Sequence, residues 1–209
     1  MFADRADAGR QLGAALAGRV GQPAVVLGMA RGGVVVAAGV ARILEAPLDV
    51  VLVRKIGAPH NPELAIGAIA PGVRVIDQGM LRRLGVDDVY LEAAIDAAEA
   101  EIARRTIAYR GDRPAPDLSG ATAVVVDDGV ATGATAVAAL RWARARSPAR
   151  LVFAAPVGPA DTVERLGPSC DEIVMLRTPA SFAAVGMWYL DFDQVGDDEV
   201  RAILAERTD

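Results

Sequence analysis

Asp127 and Asp128 stand side by side after the apolar run Ala123, Val124, Val125 and Val126, and Gly129, Val130, Ala131, Thr132, Gly133, Ala134 and Thr135 follow them. Two adjacent carboxylates are acceptors suited to two vicinal hydroxyls of a sugar ring. A loop of small residues opening a helix aims backbone N–H groups at a bound anion, and the helix dipole favours the anion's charge. Thr132 and Thr135 add hydroxyl donors, and Gly133 permits close approach of the backbone. Read this way, the segment grips a phosphate monoester and a diol belonging to one molecule. The plainer reading is that acids and threonines end a strand and cap a helix.

Three further groups could assist. Ala30, Arg31, Gly32 and Gly33 follow Gly28 and Met29 in a glycine-rich turn between an apolar strand and a helix, which offers amides and one cation to a second anion. Arg54, Lys55 and His60 come just after another apolar strand, and Lys55 and His60 are the only lysine and the only histidine of the chain. An ammonium meets a phosphate as a point charge, unlike the planar guanidinium that dominates this sequence. Phe182, Trp188, Tyr189 and Phe192 gather aromatic rings near the C-terminus, fit either to stack on a planar ligand or to fill a core. Arg141, Arg144, Arg146 and Arg150 read as a solvated face at a helix end, and the lone Cys170 as a small filler.

The elements that must hold these residues alternate. Residues 4–19 carry a helical spacing; 24–28, 48–53, 123–126, 151–155 and 172–176 read as buried strands; 33–44, 134–146, 161–166 and 197–206 read as helices. Residues 64–70 and 73–77, parted by Pro71-Gly72, read as an antiparallel excursion. Residues 87–110 form the clearest helix, with Leu91, Ile95, Ala98, Ile102 and Tyr109 on one stripe. Strand–helix alternation implies one α/β domain over residues 1–209, a doubly wound, mainly parallel sheet flanked by helices.

Composition sets bounds. With 53% hydrophobic and 23% charged residues the chain can build a full core, and its net charge of −5 argues against nucleic acid as the main partner. No apolar run reaches membrane-spanning length, no Cys/His cluster has metal-ligand spacing, and the first residues, including Asp4 and Arg5, lack a secretory pattern, so a cytoplasmic protein without a membrane partner is expected.

The segment from Val124 to Thr135 resembles the 5-phosphoribosyl-1-pyrophosphate (PRPP) motif of type I phosphoribosyltransferases. That resemblance implies a PRPP-binding transferase that passes ribose 5-phosphate to an acceptor the sequence does not name. Asp127 and Asp128 would hold the ribose hydroxyls; Ala131, Thr132, Gly133, Ala134 and Thr135 the 5′-phosphate; Ala30, Arg31, Gly32 and Gly33 the pyrophosphate. Arg54 and Lys55 resemble pyrophosphate-facing residues on a mobile loop. Mg²⁺ is expected to arrive through the substrate's phosphates, with Asp127 or Asp128 as candidate protein ligand. Residues 78–120 read as a helical insertion relative to smaller purine-salvage members and could support a homodimer, and 177–209 read as a small hood over the acceptor. Receiver domains place an acid pair after their first strand, and neither a P-loop nor a dinucleotide fingerprint is present. The alternatives left open are a PRPP- or nucleotide-sensing regulator without turnover and a phosphoribosyl-handling enzyme of another reaction type.

Overall fold

The computed structural model describes residues 1–206, and residues 207–209 of the expected hood lie outside the described part. Five strands, β1 (Ala24–Met29), β2 (Leu48–Val51), β6 (Thr122–Val126), β7 (Arg150–Val157) and β8 (Glu172–Arg177), form one parallel sheet in the order β2-β1-β6-β7-β8. Their residues alternate between two cores, as a pleated strand covered on both faces requires. Val26, Val124, Val126, Val152 and Ala154 face one, and Leu27, Val125, Leu151, Phe153 and Ala155 face the other. Helices α1 (Arg5–Leu16), α2 (Gly32–Leu44), α4 (Asp88–Arg110) and α7 (Asp197–Ala205) cover the first side, and α5 (Ala134–Arg144) covers the second. The doubly wound sheet is as expected.

A second sheet joins β3 (Arg54–Ala58), β4 (Asn61–Ala70) and β5 (Val73–Ile76), all antiparallel. The excursion is therefore longer than its apolar pattern implies. Residues 54–62, expected as a loop, build β3 and the start of β4, and His60 takes a φ of 65° at the connection. Gly57 permits this, because a Cβ there would lie 2.5 Å from the carbonyl oxygen of Pro62. A short helix α3 (Gln78–Leu84), absent from the periodicity reading, starts where the Asp77 carboxylate accepts from the Met80 amide at 2.8 Å. Between β7 and β8 lies the short α6 (Thr162–Leu166).

The stripe Leu91, Ile95, Ala98, Ile102 and Tyr109 of α4 is buried against its own core. The end of α4 is held by Arg110, whose side chain is 5% exposed: its Nε donates to Asp49 at 3.0 Å and its Nη2 to the Val50 carbonyl. That cation sits near a helix C-terminus, as the dipole prefers, and also ties α4 to the edge strand β2.

α1 and α2 pack against each other at very short range. A Cβ on Gly9 would meet the Val36 carbonyl oxygen at 2.5 Å, one on Gly13 the Val40 Cα at 3.2 Å, and one on Gly39 the Gly9 carbonyl carbon at 2.7 Å. The glycines thus keep the two helices together, with Arg5 beside Gly32. Gly39→Ala is expected to destabilise the fold by about 1–3 kcal/mol through overpacking, although an exposed helical glycine replaced by alanine would gain about 1 kcal/mol. Urea unfolding decides the sign.

Candidate functional site

In a doubly wound sheet, ligands bind beyond the carboxyl ends of the strands where the winding direction reverses. Here that point lies between β1 and β6, since the chain proceeds from β1 outward to β2 and from β6 outward to β7 and β8. Both candidate anion loops leave from these adjacent strand ends.

Asp127 and Asp128 follow β6 directly. The Asp127 amide donates to the Ala154 carbonyl at 3.2 Å, and Asp127 Oδ1 accepts the Asp128 amide at 2.9 Å. Burial, together with the neighbouring Asp128 charge, raises the Asp127 carboxyl well above its ordinary range. Burial raises Asp128 too, against the pull of a cation that sequence reading missed: Arg5 Nε donates to Asp128 Oδ2 at 2.8 Å. The Tyr189 hydroxyl donates to the Asp128 carbonyl at 2.5 Å, and burial followed by the Asp128 charge keeps that phenol protonated.

The turn Ala30, Arg31, Gly32 and Gly33 presses on the same carboxylates. A Cβ on Gly32 would collide with Asp128 Oδ2 and lie 2.7 Å from Arg5 Nε, and one on Gly33 would lie 2.7 Å from the Val126 carbonyl oxygen and 3.2 Å from Asp127 Oδ1. Only glycines fit, so the two segments singled out separately in the sequence form one surface. The Ala30–Arg31 peptide is cis. Arg31 lies 3.8 Å from Asp197, which also accepts from Tyr109 at 2.6 Å and from Arg104 at 3.3 Å. The Tyr109 bond leads in holding Asp197 below its usual range, and burial, then that bond, pushes Tyr109 up to about 12.

On the other flank, Ala131 and Thr132 are exposed, and Gly133 takes a φ of 81° at the start of α5, where no side chain caps the helix. The first-turn amides of α5 have no intrahelical acceptors. Arg165 Nη2 donates to the Ala131 carbonyl at 3.1 Å and steadies the loop. Thr132, Gly133 and Ala134 share a cavity of about 390 Å³ with Leu64, Ile76 and Glu63 of the antiparallel sheet. Glu63 in turn holds Lys55, whose Nζ lies 2.9 Å from its carboxylate. No bond among the described residues joins Arg54 or Lys55 to Asp127 or Asp128; both are exposed on β3.

The aromatic segment closes one edge of the site chiefly as a packing cluster. The Tyr189 ring centroid lies 5.4 Å from that of Phe2 and 4.8 Å from that of Phe192, and Val185 Cγ1 fills the place a Gly129 Cβ would take. Away from the site, the cluster expected as a solvated face is partnered: Arg144 pairs with Asp171 at 2.8 Å, Arg150 pairs with Glu172, and Arg146 lies 3.7 Å over the Trp142 ring. Burial lifts the Cys170 thiol to about 11, which favours its protonated form at neutral pH.

The phosphoribosyl transferase domain model matches residues 7–183. The chain belongs to this family. Two Mycobacterium tuberculosis proteins, named "Putative phosphoribosyl transferase Rv0571c" and "Putative phosphoribosyl transferase MT0597", are each 49% identical over 205 residues, which is 98% of this chain and 46% of theirs. The chain thus spans about half the length of those relatives. The crystal structure of TT1426 from Thermus thermophilus superposes with a TM-score of 0.81 at 48% identity, covering 99% of this chain and 98% of that one. AQ2163 of Aquifex aeolicus, at 14% identity, a TM-score of 0.53 and coverage of 82% and 73%, shares the fold. The matched span holds Ala30 to Gly33, Arg54, Lys55, Asp127, Asp128 and Ala131 to Thr135, whereas Arg5 and the aromatic residues Trp188, Tyr189 and Phe192 lie outside it.

The raised Asp127 carboxyl carries a stability consequence. A carboxyl with a folded-state pKa above its unfolded value supplies stability below the unfolded pKa and loses it as pH rises through the folded one. Asp127→Asn keeps the Oδ1 acceptor for the Asp128 amide and removes the charge. The variant is expected to melt above wild type at pH 8, with the gap closing toward pH 4, by thermal unfolding across pH.

Proposed function

We propose that this protein binds PRPP and transfers its ribose 5-phosphate to a small nucleophilic acceptor with release of pyrophosphate. The observation that carries the reading is the convergence of two amide-rich turns on one carboxylate pair, with Gly32 and Gly33 in direct contact with Asp128 and Asp127. A molecule with a phosphate, a vicinal diol and a second anionic group in that order matches such a surface.

In this reading Ala131, Thr132, Gly133, Ala134 and Thr135 hold the 5′-phosphate at the start of α5, Asp127 and Asp128 take the ribose hydroxyls, and Ala30, Arg31, Gly32 and Gly33 hold the pyrophosphate. Departure of a polyanion from C1 leaves an oxocarbenium-like centre, so fixing both anions in place lowers the barrier by positioning and charge stabilisation. The C1–oxygen bond breaks toward pyrophosphate, and the acceptor's lone pair forms the new bond while its proton leaves to a base or solvent. The Ala30 amide donates to the Val51 carbonyl at 3.2 Å, so β2 ends beside the pyrophosphate turn and the chain then enters β3. Arg54 and Lys55 would thereby meet the leaving pyrophosphate once Lys55 exchanges Glu63 for it. The segment from Val185 to Tyr189, pressed on Gly129 and Asp128, borders the space for the acceptor.

The donor set suits Mg²⁺ carried by the substrate. Among the described residues no group of three or more His, Cys, Asp or Glu is placed to hold a metal ion, and Mg²⁺ commonly binds through one or two carboxylates plus substrate phosphates. Asp127 or Asp128 would be the protein's contribution, and the bound ion would supply neutralisation of charge on the pyrophosphate.

Incubation with PRPP, Mg²⁺ and a panel of purines, pyrimidines and amines should release pyrophosphate with at least one acceptor, and Lys55→Ala should lower kcat on the order of tenfold or more. PRPP binding without release across the panel would contradict the transfer and leave a PRPP-responsive binding protein.

A further inference from the structure

The carboxylate pair is completed from outside the family-matched span. Arg5, in the first turn of α1, makes three contacts at once: Nε to Asp128 Oδ2 at 2.8 Å, Nη1 to the Asp193 carbonyl at 2.7 Å, and the guanidinium carbon 3.8 Å from the Phe192 ring centroid. Its side chain is only 12% exposed and that of Asp128 17%. Arg5 thus fixes one oxygen of the Asp128 carboxylate, Oδ2, beside the neighbouring Asp127 carboxylate.

We propose that Arg5 is a positioning residue that turns Asp128 into an oriented acceptor for a single ribose hydroxyl, with the Asp193 carbonyl and the Phe192 ring holding the guanidinium in its pose. A planar guanidinium can donate in two directions while its face lies on an aromatic ring, which an ammonium cannot do. The close α1–α2 packing through Gly9, Gly13 and Gly39 sets the height of Arg5 over Gly32, and the C-terminal segment supplies both of its other contacts. Selectivity for the diol thus depends on residues at both ends of the chain.

The inference rests on the ribose-binding reading of Asp127 and Asp128, and the test separates the two. Calorimetry would follow ribose 5-phosphate, 2-deoxyribose 5-phosphate and 3-deoxyribose 5-phosphate on the full chain. Wild type should prefer ribose 5-phosphate over both deoxy sugars, each by about tenfold or more, as expected for a hydrogen bond to a charged group. In Arg5→Gln the preference over one deoxy sugar should fall to within about threefold, half a decade in binding constant, while that deoxy sugar binds as in wild type. Arg5→Lys should recover part of the preference. Phe192→Leu, which keeps the cation, should lose part of it and serves if Arg5→Gln does not fold. Retention of both preferences in Arg5→Gln, or equal weakening of all three sugars, would overturn the proposal. A wild type indifferent to either hydroxyl would overturn the diol reading itself, and the proposal with it.

Discussion

Two carboxylates placed side by side at the end of a buried strand repel each other and resist losing water, and the rest of this site is arranged around that cost. Asp127 is given a backbone amide, Asp128 a guanidinium, and the two glycines of the neighbouring turn bring the start of α2 within contact of both. The guanidinium and the glycines come from outside β6. The strand order supplies one, by setting β1 against β6; the glycine-mediated approach of α1 to α2 supplies another. A fold that slackened the α1–α2 contact would take the cation from Asp128 and push its carboxyl further toward the neutral form.

The same arrangement links parts of the chain that are far apart in sequence. Asp197, at the start of α7, accepts from Tyr109 and Arg104 of α4 and faces Arg31 of the glycine-rich turn, so α4 and α7 both bear on the candidate site. Arg110 anchors the C-terminal end of α4 to β2, the strand that ends beside that turn. Helix α4 therefore braces the candidate site from behind, with its apolar stripe buried in its own chain.

Much of this was legible in the sequence. The acid pair, the threonine-glycine loop and the alternation of apolar runs with helical spacing carry their physics locally, and the α4 stripe is buried residue for residue as its periodicity implies. Arg5 was illegible because it lies 123 positions from Asp128 and opens an ordinary amphipathic helix. A weak signal existed in Gly9, Gly13 and Gly39, small residues on two adjacent helical stretches, but their partner becomes evident only once the helices are packed. The β3–β4 pairing was hidden by Pro59, Asn61 and Pro62, which read as loop, while the stabilising partners sit in the strand beyond. Lys55 was singled out by its rarity, and its observed partner is Glu63 across the same hairpin, a pairing that rarity cannot reveal.

The central claim is that Asp127 and Asp128 form the diol-binding centre between two anion loops. Calorimetric titration with PRPP and Mg²⁺ of wild type beside the double variant Asp127→Asn, Asp128→Asn tests it most directly. Saturable binding to wild type that weakens by about tenfold or more in the variant is expected, with the variant still folded. Equal affinity in both proteins, or no binding to wild type, would contradict it.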